Sequence, residues 1–395
     1  MTAKYEDRVV ISGVGRSDIG RRLGRSELDL AVQASRDAIR DSGLSPADID
    51  GIIAWPGETP APSGFTGPAA LRVSDALALG PLTYHGAWTE GASQLAGLMA
   101  ACHAVASGAA RHVLVFRSTC EASGQGGGGR SSAHPVDTGG ITGHLQWLRP
   151  FGAVSAAHWM ALMGTRYVHD YGLRPEQLGW VAVNARAHAG LTPYAVYRDP
   201  ITIDDYLASR IITSPFRLYD CDVPADAAIA FVISAAETAP DLPNPVGVEA
   251  IGAAFDGRPY WDQFRHSTDM AAHAAARHLW SRTDLTLDDV DVANLYDGFS
   301  FITLCWLEAL GFCGPGEAGS YVEGRHNIRL GAKIPLNTGG GQLSGGRVHA
   351  HSLLYESCLQ VRGECAERQV PGAEVALTSA GAGPLGGTLL VTKAR

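Results

Sequence analysis

Residues 337–351 (NTGGGQLSGGRVHAH) combine glycines with side chains that donate hydrogen bonds or carry protons. Five of the first ten residues are glycine, and a helix is predicted directly after them. Backbone N–H groups of such a loop can approach an anionic ligand closely at a helix N-terminus. The residues that would line it are Gly340, Gly341, Ser344, Gly346, Arg347, His349 and His351. The pattern favours a loop that stabilises an oxyanion; the alternative is a tight left-handed turn that packs the helix on a sheet.

A second polar group follows the predicted strand at 290–296, in the sequence NLYDGFS. Tyr296 and Asp297 lie at the carboxyl end of this strand, which is where α/β sheets place their ligands. Tyr296 is therefore a candidate acid, base or hydrogen-bond donor, with Asp297 beside it. The alternative is a tyrosine that only packs and caps.

A third segment, residues 84–93 (YHGAWTEGAS), reads as a strand-to-helix turn in which Thr89 or Ser93 could cap the helix. The turn holds no cysteine. Cys120 is the one cysteine predicted in a loop after a strand, so we consider it as a nucleophile. No paired base is evident, and a thiol without a chemical role is the favoured interpretation.

Alternating strands and helices must position these groups, and this alternation predicts a parallel α/β architecture. The predicted strands are 8–13, 49–55, 112–116, 228–234, 246–254, 290–296, 374–377 and 387–391. The predicted helices are 27–42, 91–108, 273–280, 299–310 and 347–361. The pattern recurs after about residue 245, so we expect an N-terminal half at 1–245 and a C-terminal half at 246–395.

Residues 121–191 interrupt the first half. A loop rich in glycine and serine at 124–132 is followed by predicted helices at 154–171 and 174–189. Long insertions in α/β folds often carry functional loops, so we expect this one to cover a site.

Composition excludes several classes of protein. The 395 residues carry a formal net charge of −9, with 46% hydrophobic and 18% charged residues, which is typical of a folded globular chain without an affinity for nucleic acid or anionic membranes. The seven cysteines include no C-x-x-C pair, so neither a disulfide framework nor a structural metal is expected. No apolar signal core or membrane-spanning run is present, and a cytoplasmic location is expected.

Several motifs taken together resemble the thiolase superfamily, nearest to its sterol-carrier-protein-X branch and the "lipid-transfer protein" aldolases. They are GLSPADIDG at 43–51, PYAVYRDPITIDD at 193–205, SRII at 209–212, RLYDCD at 217–222 and NTGGG at 337–341. The resemblance implies an α/β thiolase fold, with two βαβαβαββ halves in five α/β/α/β/α layers. It also implies an acyl-CoA ligand and usually a dimer.

The departures from this family are as informative as the match. Thiolases carry a nucleophilic cysteine before the buried helix, a His-Asp-Cys-Phe-like segment and a Gly-His-Pro segment. Here the corresponding positions hold Trp88, then Tyr-Asp-Gly-Phe ending at Phe299, and then Gly-Arg-Val around Arg347. Because a Claisen exchange needs a nucleophile to hold the acyl group, ordinary thiolase activity is not expected.

A retro-aldol cleavage needs no covalent intermediate, only a base for the β-hydroxyl and donors for the forming enolate. The aldolases that this chain resembles carry tyrosine at the position of Tyr296 and a second tyrosine at that of Arg347. A guanidinium can hold an oxyanion, but its pKa is too high for a base. His349 is then the candidate for the missing acid or base, since imidazole titrates near neutrality.

The resemblance therefore implies a carbon–carbon lyase that cleaves a bulky β-hydroxyacyl-CoA, such as a steroid side-chain CoA thioester, to a ketone and a short acyl-CoA. It implies no cofactor or metal, a homodimer, and a partner protein with an OB fold and a zinc ribbon. Two alternatives remain open: an acyltransferase or condensing enzyme that uses Cys120, and a non-catalytic subunit that binds acyl-CoA or lipid.

Overall fold

The computed structural model describes residues 4–57, 64–87, 93–124, 145–153, 155–256, 264 and 266–394. No helix within these ranges is both long enough and apolar enough to cross a membrane. The expected roles of Trp88 and Thr89 lie outside the described residues, as does the predicted loop at 124–132 apart from Gly124. The cytoplasmic location stays a prediction.

The described strands form one large mixed sheet and a small hairpin. The strands of the large sheet are β1 (Val9–Arg16), β2 (Gly51–Ala54), β3 (Tyr84–Ala87), β4 (His112–Cys120), β7 (Asp226–Ala235), β8 (Val246–Phe255), β9 (Val292–Asn294), β10 (Val375–Ala380) and β11 (Leu385–Lys393). The hairpin consists of β5 (Ile211–Thr213) and β6 (Phe216–Arg217).

Helices pack on this sheet and on one another. Their bounds are α1 (Glu27–Asp41), α2 (Ala70–Leu77), α3 (Ala96–Ser107), α4 (Glu121–Gly124), α5 (Leu145–Leu148), α6 (Ala156–Tyr171), α7 (Pro175–Gly190), α8 (Ile203–Ala208), α9 (Ala271–Trp280), α10 (Ser300–Leu310), α11 (Ala318–Val322), α12 (Gly341–Ser344) and α13 (His351–Arg362).

The large sheet has the strand order β3-β2-β4-β7-β1-β8-β11-β10-β9. Five strands from the first part of the chain meet four from the second at β1 and β8. These two strands share only two residue pairs, Val10 with Gly247 and Ile11 with Val246. The division of the chain into two units at residue 245 stays a prediction.

Two helices lie in the middle of the molecule. Ten of the twelve residues of α3 are buried, which marks it as a helix covered on all sides. Its Met99 reaches across to β11, where a Cβ at Gly387 would lie 3.0 Å from the Met99 Cε. The other central helix, α13, contacts strands of both parts, among them β7 and β10.

The alternation of side chains along β4 explains the layering. Val113 and Val115 point to the cluster that includes α3, while Leu114 and Phe116 point to a second cluster built on α1 and α2. On the other part of the sheet, α9 packs on β8 and β11, and α10 packs against α9. The layers are therefore helices, sheet, central helices, sheet and helices, as the predicted α/β class requires. The parallel arrangement that the sequence predicts is wrong, because among the described residues five of the eight strand pairings in the large sheet are antiparallel and three are parallel.

The structure corrects three further predictions. The helix expected at 347–361 begins only at His351, because His349 and Ala350 have φ angles of 51° and 67°, which a right-handed helix excludes. The strand expected to reach Tyr296 ends at Asn294. The next N–H groups donate instead to side chains, that of Leu295 to Asn337 Oδ1 and that of Tyr296 to Ser379 Oγ.

The third correction concerns Cys120, which is the last residue of β4 and not part of a loop. Its side chain is buried among the residues that pack under α1.

Candidate active site

Tyr296 lies two residues beyond β9, with its ring buried beside the start of α3. Its hydroxyl accepts a hydrogen bond from Gln94 Nε2 at 3.3 Å. Burial raises the pKa of Tyr296 to about 12, although the nearby Arg347 guanidinium opposes the shift. At neutral pH the group is therefore a phenol, which can donate a proton or a hydrogen bond.

Arg347 is held between two carboxylates. Its backbone N–H donates to the carbonyl of Val223 at 2.8 Å. The guanidinium contacts Glu121 Oε2 at 2.7 Å through Nε and at 2.6 Å through an Nη, and Asp222 Oδ1 at 3.3 Å. All three side chains are largely buried, so this cluster places one fixed cation and two anions near the Tyr296 phenol.

His349 contacts a buried arginine on β4. Its Nδ1 lies 3.0 Å from an Nη of Arg117, and its ring meets the Phe65 ring edge-on with centroids 5.0 Å apart. The other Nη of Arg117 donates to the Phe65 carbonyl at 2.6 Å, and its guanidinium also lies over the Trp55 ring. Burial lowers the pKa of Arg117 to about 10, with Glu121 opposing, so the guanidinium stays charged at neutral pH.

His351 begins α13 and is fully buried. Its Nδ1 lies 3.1 Å from the carbonyl oxygen of His349, and its ring stacks on Trp55. Burial lowers the pKa of His351 to about 3, so this imidazole is neutral at physiological pH.

The Asp297 carboxylate binds backbone N–H groups of the glycine-rich loop. It accepts the N–H groups of Gln342 at 2.9 Å and Leu343 at 3.3 Å. A Cβ at Gly341 would lie 1.9 Å from Asp297 Oδ2, which explains why this position is glycine. Burial raises the pKa of Asp297 to about 6. These contacts describe a carboxylate that caps α12, and its predicted part in the chemistry stays a prediction.

Three other residues predicted to line the loop, Ser344, Gly340 and Gly346, have contacts with other elements. Ser344 Oγ accepts from Arg186 Nε at 3.0 Å. Gly340 packs on Ala189, which a Cβ would approach to 2.6 Å, and has a φ of 92°. Gly346 has a φ of 118°, so it too needs a conformation that favours glycine. The packing interpretation accounts for these contacts, and an oxyanion-binding role of the loop stays a prediction.

The structure thus brings Tyr296, Arg347, His349 and His351 to one region beside the first turn of α3. Four buried polar atoms there have no hydrogen-bond partner among the described residues, namely Gln94 Oε1, Arg117 Nε, Gln342 Nε2 and His351 Nε2. Buried polar atoms are normally satisfied, so such a concentration is typical of a site that a ligand or water completes. The described part of the chain contains no group of three metal-ligating side chains.

Several residues of this region escaped the sequence analysis. Arg117 had a readable signal, because it is a charged residue inside the apolar strand HVLVFRSTC. Glu121 follows the same strand, at the edge where ligands bind in α/β sheets. Gln94 carried no signal, since its position next to Tyr296 depends on how α3 crosses the sheet.

Cys120 does not have the surroundings of a nucleophile. Burial raises the pKa of its thiol to about 12, with Glu27 and Asp226 adding to the shift. Its Sγ lies 3.5 Å from the carbonyl oxygen of Arg25. A reactive cysteine needs a thiolate stabilised by a positive neighbour, and none of the charged groups that act on Cys120 is positive.

Comparison with known proteins identifies the family. A family model described as thiolase C-terminal domain-like matches residues 257–391. A steroid side-chain-cleaving aldolase of Thermomonospora curvata is 32% identical over 96% of this chain and 97% of its own length. The chain belongs to the thiolase superfamily. A 17-hydroxy-3-oxo-4-pregnene-20-carboxyl-CoA lyase of Mycobacterium tuberculosis is 35% identical, covering 97% of this chain and 99% of that protein.

Solved structures agree with this assignment. This thiolase-superfamily chain superposes on a structure described as the Ltp2-ChsH2(DUF35) aldolase with a TM-score of 0.87 and 31% identity, covering 98% of both chains. A human mitochondrial 3-ketoacyl-CoA thiolase matches with a TM-score of 0.68 at 14% identity, which supports the fold alone. The predicted thiolase fold and the resemblance to the aldolase branch are confirmed.

Proposed function

We propose that this protein is a carbon–carbon lyase that cleaves a β-hydroxyacyl-CoA with a bulky, steroid-like side chain, releasing a ketone and a short acyl-CoA. The observation that carries the proposal is the buried Tyr296 phenol, which lies beside the Arg347–Glu121 pair. Of the two relatives named above that match over nearly their whole length, one is described as an aldolase and the other as a CoA lyase. Retro-aldol chemistry fits a site that offers a phenol, a carboxylate and guanidinium groups.

The reaction can be written with these groups. A base takes the proton of the β-hydroxyl, the carbon–carbon bond breaks, and its electrons form the enolate of the short acyl-CoA while the ketone leaves. The Glu121 carboxylate, held by Arg347, is the proposed proton acceptor. Tyr296 then delivers its proton to the enolate carbon, and Arg347 stabilises the resulting phenolate. The proton on Glu121 restores the phenol for the next turnover.

No cofactor or metal takes part in this scheme; the CoA group belongs to the substrate. A partner with an OB fold and a zinc ribbon is proposed to complete the CoA site. A second component is supported by the structural relative described as the Ltp2-ChsH2(DUF35) aldolase, whose description names two components. We also propose a homodimer. In the described residues β3 lies at the edge of the sheet, where its outer side is available for a second strand.

The test is a product assay on the full chain, alone and with the partner. Purified protein is incubated with a steroid-derived β-hydroxyacyl-CoA and, separately, with acetyl-CoA plus a second acyl-CoA. Ketone released without free CoA supports the lyase. Free CoA without ketone would favour an acyltransferase, and binding without either product would favour a non-catalytic subunit. Light scattering on the same samples measures whether two copies of the chain are present.

A further inference from the structure

The hydroxyl of Tyr296 lies over the turn that follows it in the chain. A Cβ at Gly298 would lie 3.0 Å from Cε1 of the tyrosine ring and 3.5 Å from its hydroxyl oxygen, so a side chain there would crowd the phenol. The carbonyl of Gly298 accepts the N–H of Asp222 at 3.2 Å. The next N–H, that of Val223, donates to the carbonyl of Gln342 at 3.0 Å. The phenol oxygen therefore lies beside the backbone that holds Gln342.

Gln342 is fully buried, and its side-chain amide has a defined orientation. Its backbone N–H donates to Oδ1 of Asp297, the residue after Tyr296, at 2.9 Å. The backbone N–H of Ala350 lies 3.4 Å from the side-chain oxygen Oε1. Because a backbone N–H can only donate, the amide oxygen must face Ala350, and Nε2 must face the other way. Nε2 has no partner with hydrogen-bond geometry among the described residues.

Two amides, those of Gln342 and Gln94, act on the phenol oxygen of Tyr296. Burial raises the pKa of Tyr296 to about 12, and the shift is opposed by the Arg347 guanidinium and by hydrogen bonding from the Gln342 side chain. Nε2 of Gln94, which lies just before α3, contacts the same oxygen at 3.3 Å. A phenol oxygen has one proton and two lone pairs that accept. Once Gln342 takes the acceptor position that Gln94 leaves open, the O–H bond must point in the remaining direction.

We propose that Gln94 and Gln342 are positioning residues that bind the oxygen of Tyr296 through their Nε2–H groups, direct its proton to the substrate and stabilise the phenolate left behind. The inference rests on the proposed lyase function. In the step concerned, the O–H bond of Tyr296 breaks and its electron pair stays on the oxygen. The enolate carbon of the short acyl-CoA takes the proton with the electron pair of the enolate.

The incomplete contact of Gln342 fits this role. Its Nε2 lacks hydrogen-bond geometry while Tyr296 is a neutral phenol, and catalytic hydrogen bonds often tighten only during the reaction. A bond that strengthens as charge develops lowers the barrier, whereas a bond that is equally strong before and after does not. Two donors to the phenolate therefore make Tyr296 a stronger acid towards the enolate carbon.

The first test is the pKa of the phenol at position 296, which needs no substrate. 3,5-Difluorotyrosine is placed at this position of the full chain, because the fluorines lower the phenol pKa into an accessible range and supply a ¹⁹F NMR signal to titrate. We expect this pKa to rise by about one to two units in Gln342→Met and in Gln94→Met, since each loses a hydrogen bond to a charged group. An unchanged pKa in Gln342→Met would overturn the proposal. A fall in Gln94→Met would also overturn it, because the amide oxygen would then face the phenol.

The second test is the turnover of the same two variants with tyrosine at position 296. We expect kcat to fall about 10- to 10²-fold in each, with KM nearly unchanged, because the amides bind Tyr296 and not the substrate. The matched control is Leu343→Met, which changes the next buried side chain of α12 at similar volume and leaves both amides in place. It should keep the wild-type kcat and the wild-type pKa at position 296. Equal losses of kcat in Leu343→Met and Gln342→Met would assign the effect to the packing of α12 and overturn the proposal. Thermal melting checks that each variant is folded, and Gln342→Leu is the second substitution if Gln342→Met is not.

The pKa measurement separates this inference from the proposed function. If the wild-type chain with its partner cleaved no β-hydroxyacyl-CoA, the lyase function would fail even though both variants raised the phenol pKa. If the chain cleaved the substrate but neither variant changed that pKa, only the present inference would fail.

Discussion

Two buried polar clusters flank the glycine-rich loop at 337–346, and they differ in how completely their atoms are paired. The anchor cluster consists of Glu356 on α13, Arg368, Gln360, Thr338 and Tyr194. Every nitrogen of the Arg368 guanidinium donates there, to Glu356, to the Tyr194 hydroxyl or to the carbonyl of Cys365. Glu356 in turn accepts from Thr338 Oγ1 at 2.8 Å and so ties the loop to α13.

The site cluster consists of Tyr296, Arg347, Glu121, Arg117 and His349. It contains an ion pair of similar geometry, yet Arg117 Nε has no partner among the described residues, and nor has Oε1 of Gln94, the donor to Tyr296. A fully paired buried network fixes a structure, whereas a partly paired one keeps polar atoms ready for another molecule. The anchor cluster therefore holds the loop, whereas the site cluster has the unpaired polar atoms expected of the proposed substrate site.

The largest effect expected from this difference is that of Tyr296→Phe. The change removes one hydroxyl and keeps the ring, so stability should change little. Losing a proton donor of this kind costs about 10² to 10⁴ in turnover, or roughly 3 to 5 kcal/mol of barrier. The measurement is the turnover number beside the melting temperature, with His349→Ala and Arg347→Ala run in parallel. A turnover close to the wild type would remove Tyr296 from the mechanism.

In the anchor cluster, the expected effect is on stability. Arg368→Met leaves the Glu356 carboxylate buried without its cation, which should cost about 3 to 5 kcal/mol of unfolding free energy. The double variant Arg368→Met with Glu356→Leu removes both charges and should recover much of the loss. Denaturant unfolding measures both, and turnover per folded molecule should stay near the wild type. A specific loss of turnover in the stable double variant would contradict the separation of the two clusters.

A smaller contrast is expected within the site cluster, between the two carboxylates that hold Arg347. Glu121→Gln keeps a side-chain oxygen for the guanidinium but removes the proposed base, so turnover should fall by about 10². Asp222→Asn is the matched control, because its contact with Arg347 is longer, at 3.3 Å, and it has no assigned proton. Its turnover should change much less. Equal losses in both variants would indicate that the carboxylates only position Arg347.

The comparison also explains how much the sequence could predict. The amphipathic pattern and the glycine after it predicted a helix at 27–42, close to the observed α1 at Glu27–Asp41, since both signals are local. The predicted start of α13 was wrong. His349 and Ala350 have left-handed backbone conformations, which their residue types do not indicate.

In the candidate site, too, local signals could be read from the sequence and long-range contacts could not. Arg347 and Tyr296 were singled out because one lies in a glycine-rich loop and the other at the end of a predicted strand, and the resemblance implies catalytic groups at the same positions. The partners of those groups come from elements far away in the chain: Glu121 is 226 residues from Arg347, and Gln94 is 202 residues from Tyr296. Only tertiary packing sets such pairs. For the anchor cluster, no periodic or motif signal links Thr338 with Glu356.

The smallest expected effect concerns the cysteines, which belong to neither cluster. In the structure Cys221 and Cys313 are partly exposed, and the other five thiols are buried. Burial raises the pKa of the Cys313 thiol to about 12, so even an accessible cysteine is nearly all in the unreactive thiol form at neutral pH. Iodoacetamide should therefore leave turnover largely unchanged, with slow labelling at these two positions in peptide mass spectra. Because Cys221 adjoins Asp222, the control is Cys221→Ser, which should keep its activity through the same treatment. Complete inactivation, with acyl-CoA protecting Cys120, would mean that a thiol carries the acyl group. The active site would then lie at the end of β4 and not at the Tyr296 phenol.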